Sequence, residues 1–215
     1  MLKHILLPVM LTAWLAPIAM AQVVAAPAAK TIRTAKAEVV SFAIAPKGDR
    51  MLVGLGKGAE LIDLETGKKL FALPYNEDGG TAVYHVAFNE NGEFAVLIGH
   101  SGKRTVWNLK NGKQEPSLTQ HRWVPDPRAV KAMGLDMANS TFDRFYQQME
   151  VKHRDHTLRS VKHGTVEVLD AEGKVVQKLE DPENKDQHHL APLLLWEQWL
   201  LVGTDDGRVL FYTLR

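Results

Sequence analysis

Short apolar runs of four to six residues alternate with Gly-, Asn- and Asp-rich breaks along most of the chain. This is the pattern of small antiparallel strands joined by tight turns. Glu38 to Ala45, Met51 to Leu55, Glu60 to Leu64 and Lys69 to Leu73 form one such group, broken at Pro46-Lys47-Gly48-Asp49, Gly56-Lys57-Gly58 and Glu65-Thr66-Gly67-Lys68. Val83 to Phe88, Phe94 to Ile98 and Thr105 to Leu109 repeat the plan, with breaks at Asn89 to Gly92, His100-Ser101-Gly102 and Lys110-Asn111-Gly112. Gly48 and Gly92 stand 44 positions apart, and Gly67 and Gly112 stand 45 apart. That period matches one four-stranded propeller blade, roughly 40 to 45 residues. Two further copies run through Leu158 to Lys174 and Trp199 to Arg215.

The residues at the third strand of each repeat carry a resemblance. Val106-Trp107-Asn108-Leu109 resembles the Trp-Asp element of the WD-repeat propellers, with Asn in place of Asp. Leu61-Ile62-Asp63-Leu64 and Phe211-Tyr212-Thr213-Leu214 are its counterparts, and Val168-Leu169-Asp170 lies one position out of register. The Gly-His pair that opens such repeats is missing, and quinoprotein-like or YVTN-type repeats are the looser alternatives. The resemblance implies an all-β fold, a small propeller of about four four-stranded blades, with a fifth blade across residues 119–156 as the alternative. The leading expectation for function is a binding module without enzymatic activity or cofactor.

The last repeat stops after its third strand, while residues 30–36 supply a surplus strand before the first. Pairing the two closes the ring within one chain and removes an open sheet edge. This favours a monomer over a dimer that shares an eight-blade ring. The expected organisation is a propeller over 30–215, with blades at 37–74, 81–118, 128–181 and 187–215 plus the closing strand 30–36. Residues 129–135 are expected as the inner strand of blade three. A helix is expected at 140–152, because Phe142, Phe145, Tyr146 and Met149 recur at helical spacing behind a Ser140–Asp143 capping box.

The first 21 residues read as a secretory signal: Lys3 and His4, an apolar run from Ile5 to Ile18, then Ala19-Met20-Ala21 as a cleavage site. Residues 22–29, QVVAAPAA, read as a flexible leader. Loss of Lys3 with the signal leaves 25 basic residues against 25 acidic, a balance that argues against a nucleic-acid partner. Cysteine is absent, consistent with an oxidising compartment. The periplasm is the expected location, with secretion as the alternative.

Phosphate-loop, nucleophile-elbow and zinc-protease motifs are absent from the sequence. The leading expectation is a surface that binds another envelope or secreted protein, as an inhibitor, immunity protein or scaffold. Trp123, Arg128, Phe145 and Tyr146, on the largest irregular segment, are the candidate contacts. The alternative is a propeller that binds a small ligand or a metal, or a hydrolase using the central channel. His153, His156, His163, His188 and His189 are the candidate ligands for the metal version.

Overall fold

The computed structural model describes residues 22–77, 79–99, 102–124 and 148–215. Sixteen strands within them form four antiparallel four-stranded sheets. Blade 1 contains β1's successor strands β2 (Val39–Ile44), β3 (Arg50–Leu55), β4 (Ala59–Asp63) and β5 (Lys69–Leu73), after β1 itself (Lys30–Arg33). Blade 2 contains β6 (Val83–Phe88), β7 (Phe94–Gly99), β8 (Arg104–Asn108) and a two-residue β9 (Lys113–Gln114). Blade 3 contains β10 (Glu150–His153), β11 (His156–Ser160), β12 (Val166–Leu169) and β13 (Val175–Leu179). Blade 4 contains β14 (Leu193–Trp196), β15 (Trp199–Gly203) and β16 (Arg208–Thr213).

Blade 4 takes its outer strand from the other end of the chain. β1 pairs with β16, with Ile32 opposite Val209, so the sheet order is β1-β16-β15-β14. The N-terminal strand therefore completes the last sheet, as the mismatch of terminal strands predicts.

The blades pack face to face through three apolar layers. Leu158, Val166 and Val168 of blade 3 meet Leu193, Leu200 and Tyr212 of blade 4. Phe42, Met51 and Val53 of blade 1 meet Ile32, Leu201, Val209 and Phe211 of blade 4. Leu52, Leu61 and Leu73 of blade 1 meet Val86, Leu97 and Trp107 of blade 2. Each blade presents apolar residues on both faces where it is sandwiched, so blades 1 and 4 read as near-continuous hydrophobic runs. The outer face of blade 2 is covered instead by the connector that leaves it, through Leu118, Trp123 and Val124. The outer face of blade 3 is polar: Arg159, Glu167 and Lys178 form an ion-paired ladder across it.

Two expectations are corrected. Glu150–His153 is strand β10, so the helix expected at 140–152 fails at its C-terminal end; residues 140–147 lie outside the described residues, as do the expected strand at 129–135 and residues 1–21. β10 turns into β11 through Arg154 and Asp155, with Arg154 at φ 54, and its hydrogen bonds go to β11 (His153 opposite His156). The leader at 22–29 is docked, not loose. Val24 is fully buried and bridges Leu214, Ala25 N–H donates to Thr213 O, and Ala29 N–H donates to Phe211 O. Gln177 on blade 3 clasps both backbone groups of Val24, accepting from its N–H at 3.1 Å and donating to its carbonyl at 2.6 Å.

Candidate functional site

In each blade the first strand lies innermost, and the chain alternates between two rims. One rim carries the turns after first and third strands. The other carries the turns after second strands and the connectors between blades. On the first rim, the turns of blades 1 and 2 enclose two grooves that share Glu90 and Asn91. One has a volume of about 510 Å³ and is lined by Asn89, Glu90, Asn91, His121, Arg122 and Trp123. The other, about 360 Å³, lies between Pro46, Lys47 and Arg50 of blade 1 and Gly92, Glu93 and Lys110 of blade 2.

The wall of this double groove is held by its own hydrogen bonds. Asn89 Oδ1 accepts from Phe94 N–H at 2.9 Å, and Asn89 Nδ2 donates to Asn91 Oδ1 at 2.8 Å. Asn91 Oδ1 also accepts from Glu93 N–H, which closes an Asx turn. Gly92 sits at φ 71, where a side chain is strained, and its carbonyl accepts from Arg50 Nη2 at 3.0 Å. That bond ties the turn of blade 2 to blade 1. Lys110 pairs with Glu93 and holds its carboxyl below the usual carboxylate range.

Trp123 reaches the groove because the connector after β9 crosses the outer face of blade 2. Leu118 and Val124 seal the apolar patch of Val96, Ile98 and Val106, and Trp123 packs at its margin, half-buried. Of the four candidate contacts, Trp123 is thus placed in a groove. Arg128, Phe145 and Tyr146 lie outside the described residues. The groove's other residues, Asn89 to Asn91 above all, carry no signal in the sequence beyond that of a turn.

The five candidate metal ligands do not converge. His153 and His156 face each other across the first rim, while His163, His188 and His189 belong to the opposite one. Among the described residues no three metal-ligating side chains cluster. His189 is engaged on both ring nitrogens, with Nδ1 3.0 Å from Glu38 Oε1 and Nε2 3.1 Å from Gly203 O, so both nitrogens are turned toward protein acceptors.

Near it, Arg208 is the hub of a second polar cluster. Its guanidinium donates to Asp206 at 2.7 and 2.8 Å and to Asp181 at 2.7 Å, and pairs with Glu183 at 3.2 Å. Burial opposes the Asp206 charge, but hydrogen bonds from Thr204 and Arg208 outweigh it and hold that carboxyl below its ordinary range. Asp205-Asp206-Gly207 is a hairpin turn between β15 and β16, with Gly207 at φ 86.

At the centre, Gln148 spans the inner strands. Its side-chain oxygen accepts from Phe42 N–H of β2 at 3.0 Å, and its backbone carbonyl accepts from Leu193 N–H of β14 at 2.8 Å. Ser41 Oγ donates to Val83 O of β6 at 2.9 Å. His85, on β6, is pulled by desolvation from 6.5 to about 4, so its imidazole is neutral at neutral pH.

Four four-stranded antiparallel sheets, packed face to face and completed by an N-terminal strand, define a small β-propeller. No protein-family model matches the chain, and no curated protein matches it. Solved structures similar to it include the β-propeller domain of Cps50 (Swd1) from Myceliophteria thermophila, at 16% identity over 81% of this chain and 65% of that one, with a TM-score of 0.35. U3-55K is similar at 12% identity over 80% of this chain and 47% of that one, TM-score 0.37. The WD40 repeats of RRP9 are similar at 12% identity over 87% and 56%, TM-score 0.38. The chain spans roughly half to two thirds of the length of these propellers.

Proposed function

We propose that this chain is a non-enzymatic protein-interaction module of the cell envelope, exported to the periplasm, that holds its partner in the double groove of blades 1 and 2. The observation that carries the reading is the placement of a half-buried tryptophan, Trp123, beside a turn held by its own hydrogen bonds. Aromatic anchors in preorganised, partly desolvated grooves are where binding energy concentrates, because little freedom is lost when the partner arrives. No helix among the described residues is long and apolar enough to cross a membrane. Within this reading, an inhibitor or immunity protein and an envelope scaffold are the two specific roles that fit.

The test is capture of partners from an envelope extract by the tagged chain over residues 22–215, read by mass spectrometry. A single stoichiometric partner, lost with Trp123→Ala and with Glu90→Arg while the unfolding midpoint of Glu90→Arg is unchanged, is the expected result. Glu90 is exposed and lies where the two grooves meet, so Arg there blocks both without touching the core. A partner retained at full stoichiometry by both variants would exclude the groove.

A further inference from the structure

The connector over residues 180–192 carries blade 3 into blade 4 along the rim opposite the groove. Much of it is exposed, but His189 is buried at 1% exposure, a polar side chain in a segment whose other buried residues, Ala191 and Pro192, are apolar. Both acceptors facing the ring, the Glu38 carboxylate and the Gly203 carbonyl, lack a hydrogen to give. A neutral imidazole carries one N–H and can serve only one of them. The imidazolium serves both, so the geometry fits the charged ring.

The three elements joined here come from separate parts of the chain. Glu38 leads into β2 of blade 1, and its own carbonyl accepts from Gly56 N–H at 2.9 Å. Gly203 ends β15 of blade 4. The His189 carbonyl accepts from Gly164 N–H at 3.0 Å, which fixes the β11–β12 connection of blade 3, with His163 beside it. Asp205, in the β15–β16 turn, accepts from Lys185 N–H at 2.9 Å and Asp186 N–H at 2.7 Å, holding the same connector from the other side. The nearby cation, Arg208, already has its charge matched by Asp206, Asp181 and Glu183.

We propose that His189 is a protonation-operated latch, which when charged ties the blade 3–4 connector to blade 1 and when neutral gives up one of its two bonds and loosens that rim. Burial pulls the His189 pKa down, but the Glu38 hydrogen bond, the Gly203 carbonyl and the charges of Glu38 and Asp205 push harder the other way, and the net displacement is upward from 6.5. A raised pKa means that the latch contributes fully below about 6.5 and is lost as pH rises through the folded-state value. An exported chain meets the pH of its surroundings, so acid firms this rim and alkali frees it. The latch rests on residues remote from the double groove and stands whether or not the groove binds a partner.

Ring-nitrogen NMR on the labelled chain over residues 22–215 tests it. At about pH 5.5, both His189 nitrogens are expected to be protonated, and the ring keeps that state past about 6.5, the ordinary histidine value. The exchange protection factor of the Gly164 amide, corrected for intrinsic rate, should fall several-fold as His189 loses its proton. Glu38→Gln, at a half-exposed carboxylate, should keep the fold and move the His189 titration downward. A single neutral tautomer at about pH 5.5 would overturn the proposal. So would Gly164 protection that stays flat across the titration, or a titration indifferent to Glu38→Gln.

Discussion

Arg208→Met is the most exacting test of how the last blade is held. The arginine side chain is 7% exposed and its partner Asp181 is 10% exposed, whereas Asp206 and Glu183 are 42% and 66% exposed. Water can take over the latter two carboxylates, so only the Asp181 pair counts as buried. Removing one member of a buried pair costs roughly 3 to 5 kcal/mol, because the other charge is stranded. Met preserves the packing of the arginine stem, which leaves the charge as the variable. With two of the three carboxylates partly wet, the expected loss is near the lower bound, about 3 kcal/mol. For a chain of this length that lowers the melting temperature by about 6 to 12 °C. Urea unfolding of the chain over residues 22–215 measures it directly. Asp181→Asn in the Arg208→Met background removes the stranded charge and should recover at least about 1 kcal/mol. An Arg208→Met loss under about 1 kcal/mol, with no recovery in the double variant, would refute the claim that this pair is desolvated.

Two other outcomes follow from named contacts. Because His85 titrates near 4 in the fold and at 6.5 when unfolded, the unfolded state binds the extra proton first. Stability should therefore be complete above about 6.5 and fall toward pH 4 by at most about 3 kcal/mol, and His85→Gln should flatten that acid limb in urea midpoints measured against pH. An unchanged limb would mean that other groups set it. Gln177→Ala strips Val24 of both side-chain bonds and should cost about 2 kcal/mol, with protease cleavage within residues 22–29 appearing before the core is cut. Equal resistance in parent and variant would show that the leader is held by its pairing with β16 alone.

The strands of blades 1 and 2 are legible in the sequence because each turn is marked. Gly48, Gly67, Gly92 and Gly112 all sit near φ 70, a conformation that glycine adopts at little cost, and they recur at the blade period. Trp107 is legible as core for the same reason: it lies on the third strand of a well-marked repeat, 6% exposed, with Nε1 donating to Thr105 at 3.0 Å. Blade 3 defeats this logic at its first strand. Glu150-Val151-Lys152-His153 offers only Val151 as an apolar signal, and its turn uses Arg154 at positive φ where glycine would have announced it. The helical spacing of the aromatic residues just upstream then captures the segment. The leader fails differently. Its residues are small and carry no strand pattern, and what holds them lies far along the chain: Gln177, 153 positions from Val24, and the backbone of Phe211 to Arg215. The double groove is half legible: Trp123 stands out as an aromatic beside prolines, but the turn opposite it reads as any other turn.

The shared sheet of blade 4 also governs the order in which the molecule can be assembled. Thr34 and Gly207, which it joins, are 173 positions apart. As the chain is synthesised from its N-terminus, β1 has no partner until nearly everything else has been made. Its edge, and the apolar face of blade 1 that β16 packs against, stay open for the whole interval. Contacts this distant are slow to form and exposed to wrong partners meanwhile. A truncated chain lacking the last strand would be left with the first blades built and no means of finishing, which marks it for capture by folding helpers or proteases in whatever compartment receives it.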